Sequence, residues 1–115
     1  CGIHAEALSA AELKHGPLAL AGPDFPVVLL SQRDAALDGL ARAGNDLTAR
    51  GVPVVAAGPA DIAGALTLPT AAGMHPFAQP LVLIQSYYPL AEALARSRGR
   101  DPDKPPYLSK VTETL

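Results

Sequence analysis

The chain has 115 residues, of which 49% are hydrophobic and 17% charged, and its formal net charge is −2. That balance suits one small globular domain and excludes a disordered or low-complexity chain. Lys and Arg are scattered rather than clustered, so no nucleic-acid surface is expected.

Residues 4–14 are rich in Ala, Leu and Glu and predict a helix, which Gly16 and Pro17 then stop. Residues 26–31 (PVVLLS) form a short apolar run with two valines, which predicts a buried strand. Residues 34–50 carry Leu37, Leu40, Ala41, Ala43 and Leu47 at helical spacing, and Gly51 closes that helix. Residues 52–57 (VPVVAA) predict a second strand and residues 65–68 a shorter third. A loop with Pro69, Gly73 and Pro76 leads to a long, mostly apolar helix over 77–96. Pro80 falls in its first turn, where proline is tolerated. Pro89 is expected to kink this helix or to end its first segment.

Strands that are apolar throughout and alternate with helices predict an α/β fold, with a parallel sheet covered on both faces. Three strands are few for such a sheet, and the chain begins without Met. It is therefore expected to be one portion of a longer domain, residues 1–98, followed by a tail, residues 99–115. The longest apolar run, from Pro80 toward Tyr88, is broken by Gln85 and Ser86 and is too short to span a bilayer. No secretory leader is visible. The one cysteine, Cys1, cannot form an internal disulfide and has no activating neighbour in sequence. These features suit the cytoplasm.

Three places could carry chemistry. His15 follows the end of the first predicted helix, on the sharp Gly16-Pro17 loop, and imidazole titrates near neutrality, which suits proton transfer. Glu12, three residues earlier, could orient it or share its proton. The alternative is a helix end at which Lys14 and His15 complement the dipole. Lys110, in the tail, would become a Schiff-base amine only in a pocket that desolvates it. His4 and Glu6, two apart, face different ways on a helix, and no carboxylate or histidine cluster has metal-ligand spacing. No glycine-rich phosphate loop is present.

The stretch HAEALSAAELKHGPLAL, residues 4–20, closely resembles the signature of the sugar isomerase (SIS) domain family. It is similar to the isomerase half of glutamine–fructose-6-phosphate aminotransferases and to SIS-type glucosamine-6-phosphate deaminases. The run Gly99-Arg100-Asp101-Pro102-Asp103-Lys104-Pro105, then Leu108-Ser109-Lys110-Val111-Thr112, matches the family's distal pattern. The resemblance implies a three-layer α/β/α sandwich, Rossmann-like, with this chain forming the C-terminal portion of the second of two SIS domains. It implies that His15 opens the sugar ring, reaching the site of a neighbouring subunit in a homodimer, with Glu12 in support. Lys110 would form the Schiff base with the keto sugar, and Leu108 and Ser109 would line the pocket. The substrate would be a phosphosugar, and the chemistry calls for no metal or redox cofactor. The family's general-base glutamate and its phosphate-binding Ser/Thr loops would lie in an N-terminal part of the same protein. The tail reads K-V-T, without the residue that aminotransferases usually carry between the lysine and V-T. On that ground a deaminase is the first expectation. An aminotransferase or a phosphosugar-binding regulatory module is the alternative.

Overall fold

The computed structural model describes residues 1–108. Its centre is a sheet of three parallel strands in the order β1-β2-β3: β1 (Val27–Leu30), β2 (Val54–Ala57) and β3 (Leu66–Leu68). Around it lie α1 (Ala10–Leu13), α2 (Leu37–Ala49) and α3 (Gln79–Ser97), with short 3-10 turns at Pro17–Ala19 and Pro76–Ala78. Among the described residues no helix is long and apolar enough to cross a membrane.

The strands form where β-branched and aliphatic residues run together. Pairing sets Val27 opposite Val54 and Leu29 opposite Ala56. Residues two apart share a face, and these residues point into one cluster with Leu47 of α2, Val52 and Ile62. On the other face lie Val28 and Leu30, opposite Val55 and Ala57. Val28 is 42% exposed there, and Leu66 on β3 is 71% exposed. α2 covers one face; on the second, Ala57 is buried while Val28 and Leu66 are exposed in these residues.

Helix α2 ends where the sequence says it should. Gly51 adopts φ 79°, a conformation costly for residues with a Cβ. There its N–H donates to the Thr48 carbonyl (2.9 Å) and the next N–H, of Val52, to that of Leu47 (3.1 Å). This double closure of the last turn brings Val52 and Leu47 together in the core.

Two helices differ from expectation. The first is not a helix over 4–14; it is the single turn Ala10–Leu13. Composition favoured the longer element, but Ser9 caps the turn: its hydroxyl accepts the Glu12 N–H, and the Glu12 carboxylate accepts the Ser9 N–H (2.7 Å). Such a reciprocal cap fixes a helix start, because the N-cap residue itself is not helical. Pro89, in turn, does not end α3, which runs unbroken through it. A single proline removes one backbone donor, and the remaining turns, anchored by buried Leu83 and Ala95, carry the helix past it.

Candidate functional site

His15 stands in the turn after α1. Its backbone N–H closes that turn on the Glu12 carbonyl (3.0 Å). Leu13 before it and Leu18 after it both pack against the sheet core. The turn is therefore pinned on each side, while the imidazole is exposed and has no hydrogen-bond partner among the described residues. An imidazole on a fixed base, facing outward, is free to act on a group brought by another chain segment.

Glu12 does not orient that imidazole here. Its Oε2 accepts from the Ser9 N–H and the Ser9 hydroxyl, each at 2.7 Å. The expected support of His15 by the Glu12 side chain is thus replaced by support through the backbone: the carboxylate holds the helix start, and the helix carries the turn. The Ser9 hydroxyl, and then the Ser9 amide, hold the Glu12 carboxyl below the ordinary carboxylate range. A lowered folded pKa stabilises the cap above the unfolded pKa, and that stabilisation is lost as pH falls through the folded value. The Glu12 carboxyl, followed by NMR, should titrate below an ordinary glutamate, and Ser9→Ala, which removes the hydroxyl and keeps the amide, should raise it part of the way back.

The other histidines have local roles. His4 and Glu6 approach to 3.5 Å on an exposed, non-helical segment. His75 starts the 3-10 turn before α3, accepting the Phe77 N–H at Nδ1 (3.4 Å) and stacking on the Phe77 ring. No metal-binding group of His, Cys, Asp and Glu is present among the described residues. Leu108, expected to line the pocket, is 75% exposed. Ser109 and Lys110 lie outside the described residues.

A feature that the sequence reading missed lies at the C-terminal edge of the sheet, where open parallel sheets hold ligands. There Ser31, Arg33, Gly58, Pro59, Thr70 and Gln79 line a cavity of about 160 Å3. Ser31 is 1% exposed. Its hydroxyl donates to the Ala57 carbonyl (3.0 Å) and accepts the Ala60 N–H (2.9 Å), which ties the ends of β1 and β2 together. The Arg33 N–H donates to the Gln79 Oε1 (2.8 Å) and pins the loop after β1 to the start of α3. The available signal was a polar Ser-x-Arg that begins at the last residue of a predicted strand.

No protein-family model matches the chain. A glutamine–fructose-6-phosphate aminotransferase (isomerizing) of Thermococcus kodakarensis is 36% identical over 94% of this chain, which spans 18% of that protein's length. A solved C-terminal domain of the glucosamine–fructose-6-phosphate aminotransferase of Francisella tularensis superposes with TM-score 0.77 at 31% identity, over 89% of this chain and 30% of that one. A protein assigned as a phosphosugar isomerase, from Silicibacter pomeroyi DSS-3, superposes with TM-score 0.75 at 38% identity, over 87% of this chain and 30% of that one. In sequence and in fold the chain matches the SIS domain family. Its three parallel strands and flanking helices are part of the α/β architecture of SIS domains. The chain spans about a fifth of the length of the curated relatives it matches. In this SIS segment the ELKHGP stretch of the sequence forms α1 and the pinned turn that bears His15.

Proposed function

We propose that this SIS segment belongs to an enzyme that isomerises an amino-sugar phosphate, of the glutamine–fructose-6-phosphate aminotransferase kind. The observation that carries this reading is the identity of 36–37% to such aminotransferases across 94–95% of the chain. In this reading the exposed imidazole of His15 moves a proton at the sugar ring oxygen, opening the ring and freeing the carbonyl. The Lys110 amine attacks that carbonyl, and water leaves as the Schiff base forms. Leu108 and Ser109 flank the lysine in the pocket. Glu12 acts as a positioning residue, holding the cap that sets the His15 turn. The imidazole faces away from its own core, which suits delivery to the site of a second subunit in a homodimer. Further residues of the same protein complete the site and anchor the sugar phosphate. The cytoplasm, where phosphosugars are metabolised, is the proposed location.

A deaminase is the second reading, and the K-V-T tail favours it. One experiment separates the two. The full-length protein is supplied with fructose 6-phosphate plus glutamine, or with glucosamine 6-phosphate alone. Glutamine-dependent formation of glucosamine 6-phosphate supports the aminotransferase. Release of ammonia and fructose 6-phosphate without glutamine, and no glutamine-dependent synthesis, supports the deaminase. His15→Ala should lower whichever rate is found by about 10²–10⁴-fold with an unchanged melting temperature. Absence of turnover on both substrates would overturn the enzymatic reading and leave phosphosugar binding.

A further inference from the structure

We infer that Ser9 is a positioning residue for His15, acting through the one-turn helix that starts on it. The inference rests on the catalytic reading of His15 and adds the device that sets where that residue stands.

The His15 imidazole is exposed, and no side chain among the described residues holds it. Its place is therefore set by its backbone alone. Downstream that backbone is well fixed: the Gly16 carbonyl accepts the Ala19 N–H (2.9 Å), and Leu18 packs against the core. Upstream it hangs on α1, where the Glu12 carbonyl accepts the His15 N–H (3.0 Å). Helix α1 has four residues, none of them buried. So short a helix has no stability of its own in water. Glu12 must be held from outside the helix, and Ser9 holds it. The Ser9 hydroxyl accepts the Glu12 N–H (3.2 Å) and donates to the Glu12 carboxylate (2.7 Å). The Ser9 N–H donates to the same carboxylate (2.7 Å). The Ser9 carbonyl accepts the next N–H, that of Leu13 (3.0 Å), whose side chain packs against the core. The path to the imidazole is thus unbroken: Ser9 hydroxyl to Glu12, Glu12 carbonyl to His15.

Ser9→Ala removes both bonds of the hydroxyl and leaves those of the backbone. The helix start then frays, and His15 stands correctly for less of the time. Proton transfer is sensitive to such misplacement. Binding of the sugar phosphate, anchored elsewhere in this reading, is not. The loss should therefore fall on kcat and spare KM.

The test uses the full-length protein with fructose 6-phosphate and glutamine, or with glucosamine 6-phosphate, whichever turns over. Ser9→Ala should lower kcat by about fivefold, with KM within about twofold of wild type. Ser9→Thr, which keeps a capping hydroxyl, should return kcat to within about twofold of wild type. In a His15→Ala background, Ser9→Ala should lower kcat no further, because it acts through the imidazole. Ser97→Ala is the control: it removes another exposed helix-end hydroxyl, one bonded to the Leu94 carbonyl (2.9 Å), and should leave kcat unchanged. A wild-type kcat in Ser9→Ala, beside a loss in His15→Ala, would overturn the inference and leave the reading of His15 standing. Equal losses from Ser9→Ala in both backgrounds would also overturn it, because Ser9 would then act on the protein as a whole. No loss in His15→Ala would remove the reading of His15, and the inference with it.

Discussion

Replacing Gly58 with alanine should lower stability by about 3–5 kcal/mol. Gly58 follows β2 with φ 95°, and a Cβ there would lie well inside van der Waals contact with the Ser31 carbonyl oxygen, and 2.8 Å from Oγ of the same residue. The obstacle is backbone in a paired strand end, so it cannot rotate away. Relief would require Ser31 to move, and Ser31 makes three bonds: its N–H and its hydroxyl both donate to the Ala57 carbonyl, and its oxygen accepts the Ala60 N–H. Breaking these inside a buried strand end adds the cost of unmet polar groups to the backbone strain. Gly64→Ala is the control. Gly64 has a similar φ, 77°, with no atom near its would-be Cβ, so only the backbone term of about 1–2 kcal/mol applies. Urea denaturation of both variants separates the two terms. Equal losses would mean that the Ser31 contact does not matter.

Leu47→Ala should cost about 3–4 kcal/mol, at the upper middle of the range for buried leucines. Leu47 is 1% exposed. It lies in the cluster with Leu29, Val54 and Ala56 of the sheet, and its carbonyl receives the Val52 N–H that closes α2. The surroundings are held by the sheet on one side and by the Gly51 turn on the other, so the cavity left by truncation has little room to collapse. Leu47→Met, which conserves volume, should cost less than about 1.5 kcal/mol. Thermal melts of the three proteins check this, and a loss of under about 1 kcal/mol for the alanine variant would show that α2 is not the cover of the sheet.

The parts of this fold legible in the sequence are those set by neighbours in the chain. PVVLLS and VPVVAA are too short and too β-branched to be read as helices, and Gly51 marks a helix end by conformation alone. Over residues 4–14 helix-forming composition points to a longer helix than the Ser9-x-x-Glu12 cap allows, although that signal lies in the same stretch. The exposure of Val28 and Leu66 was not legible, because periodicity reports what a strand expects and not what covers it. His15 could be placed on a loop from Gly16 and Pro17. That its turn is pinned by Leu13 and Leu18 needed the folded core. The edge cavity depends on Arg33 and Gln79, which lie 46 residues apart, and no local pattern joins them.

The strand order has a kinetic side. β1 pairs with β2, and β2 with β3, so each strand meets the next one in the chain. Pairing between successive strands closes shorter loops than contacts between the two ends of the segment. The contacts of Cys1 are of the opposite kind: its Sγ reaches the Ala91 carbonyl and its own carbonyl meets Arg98, across 90 and 97 residues. Two exposed hydrogen bonds are a small return for so long a loop. Amide exchange should then be faster at the first residues of the segment, which rest on α3 through two exposed bonds, than in the paired strands between Val27 and Leu68.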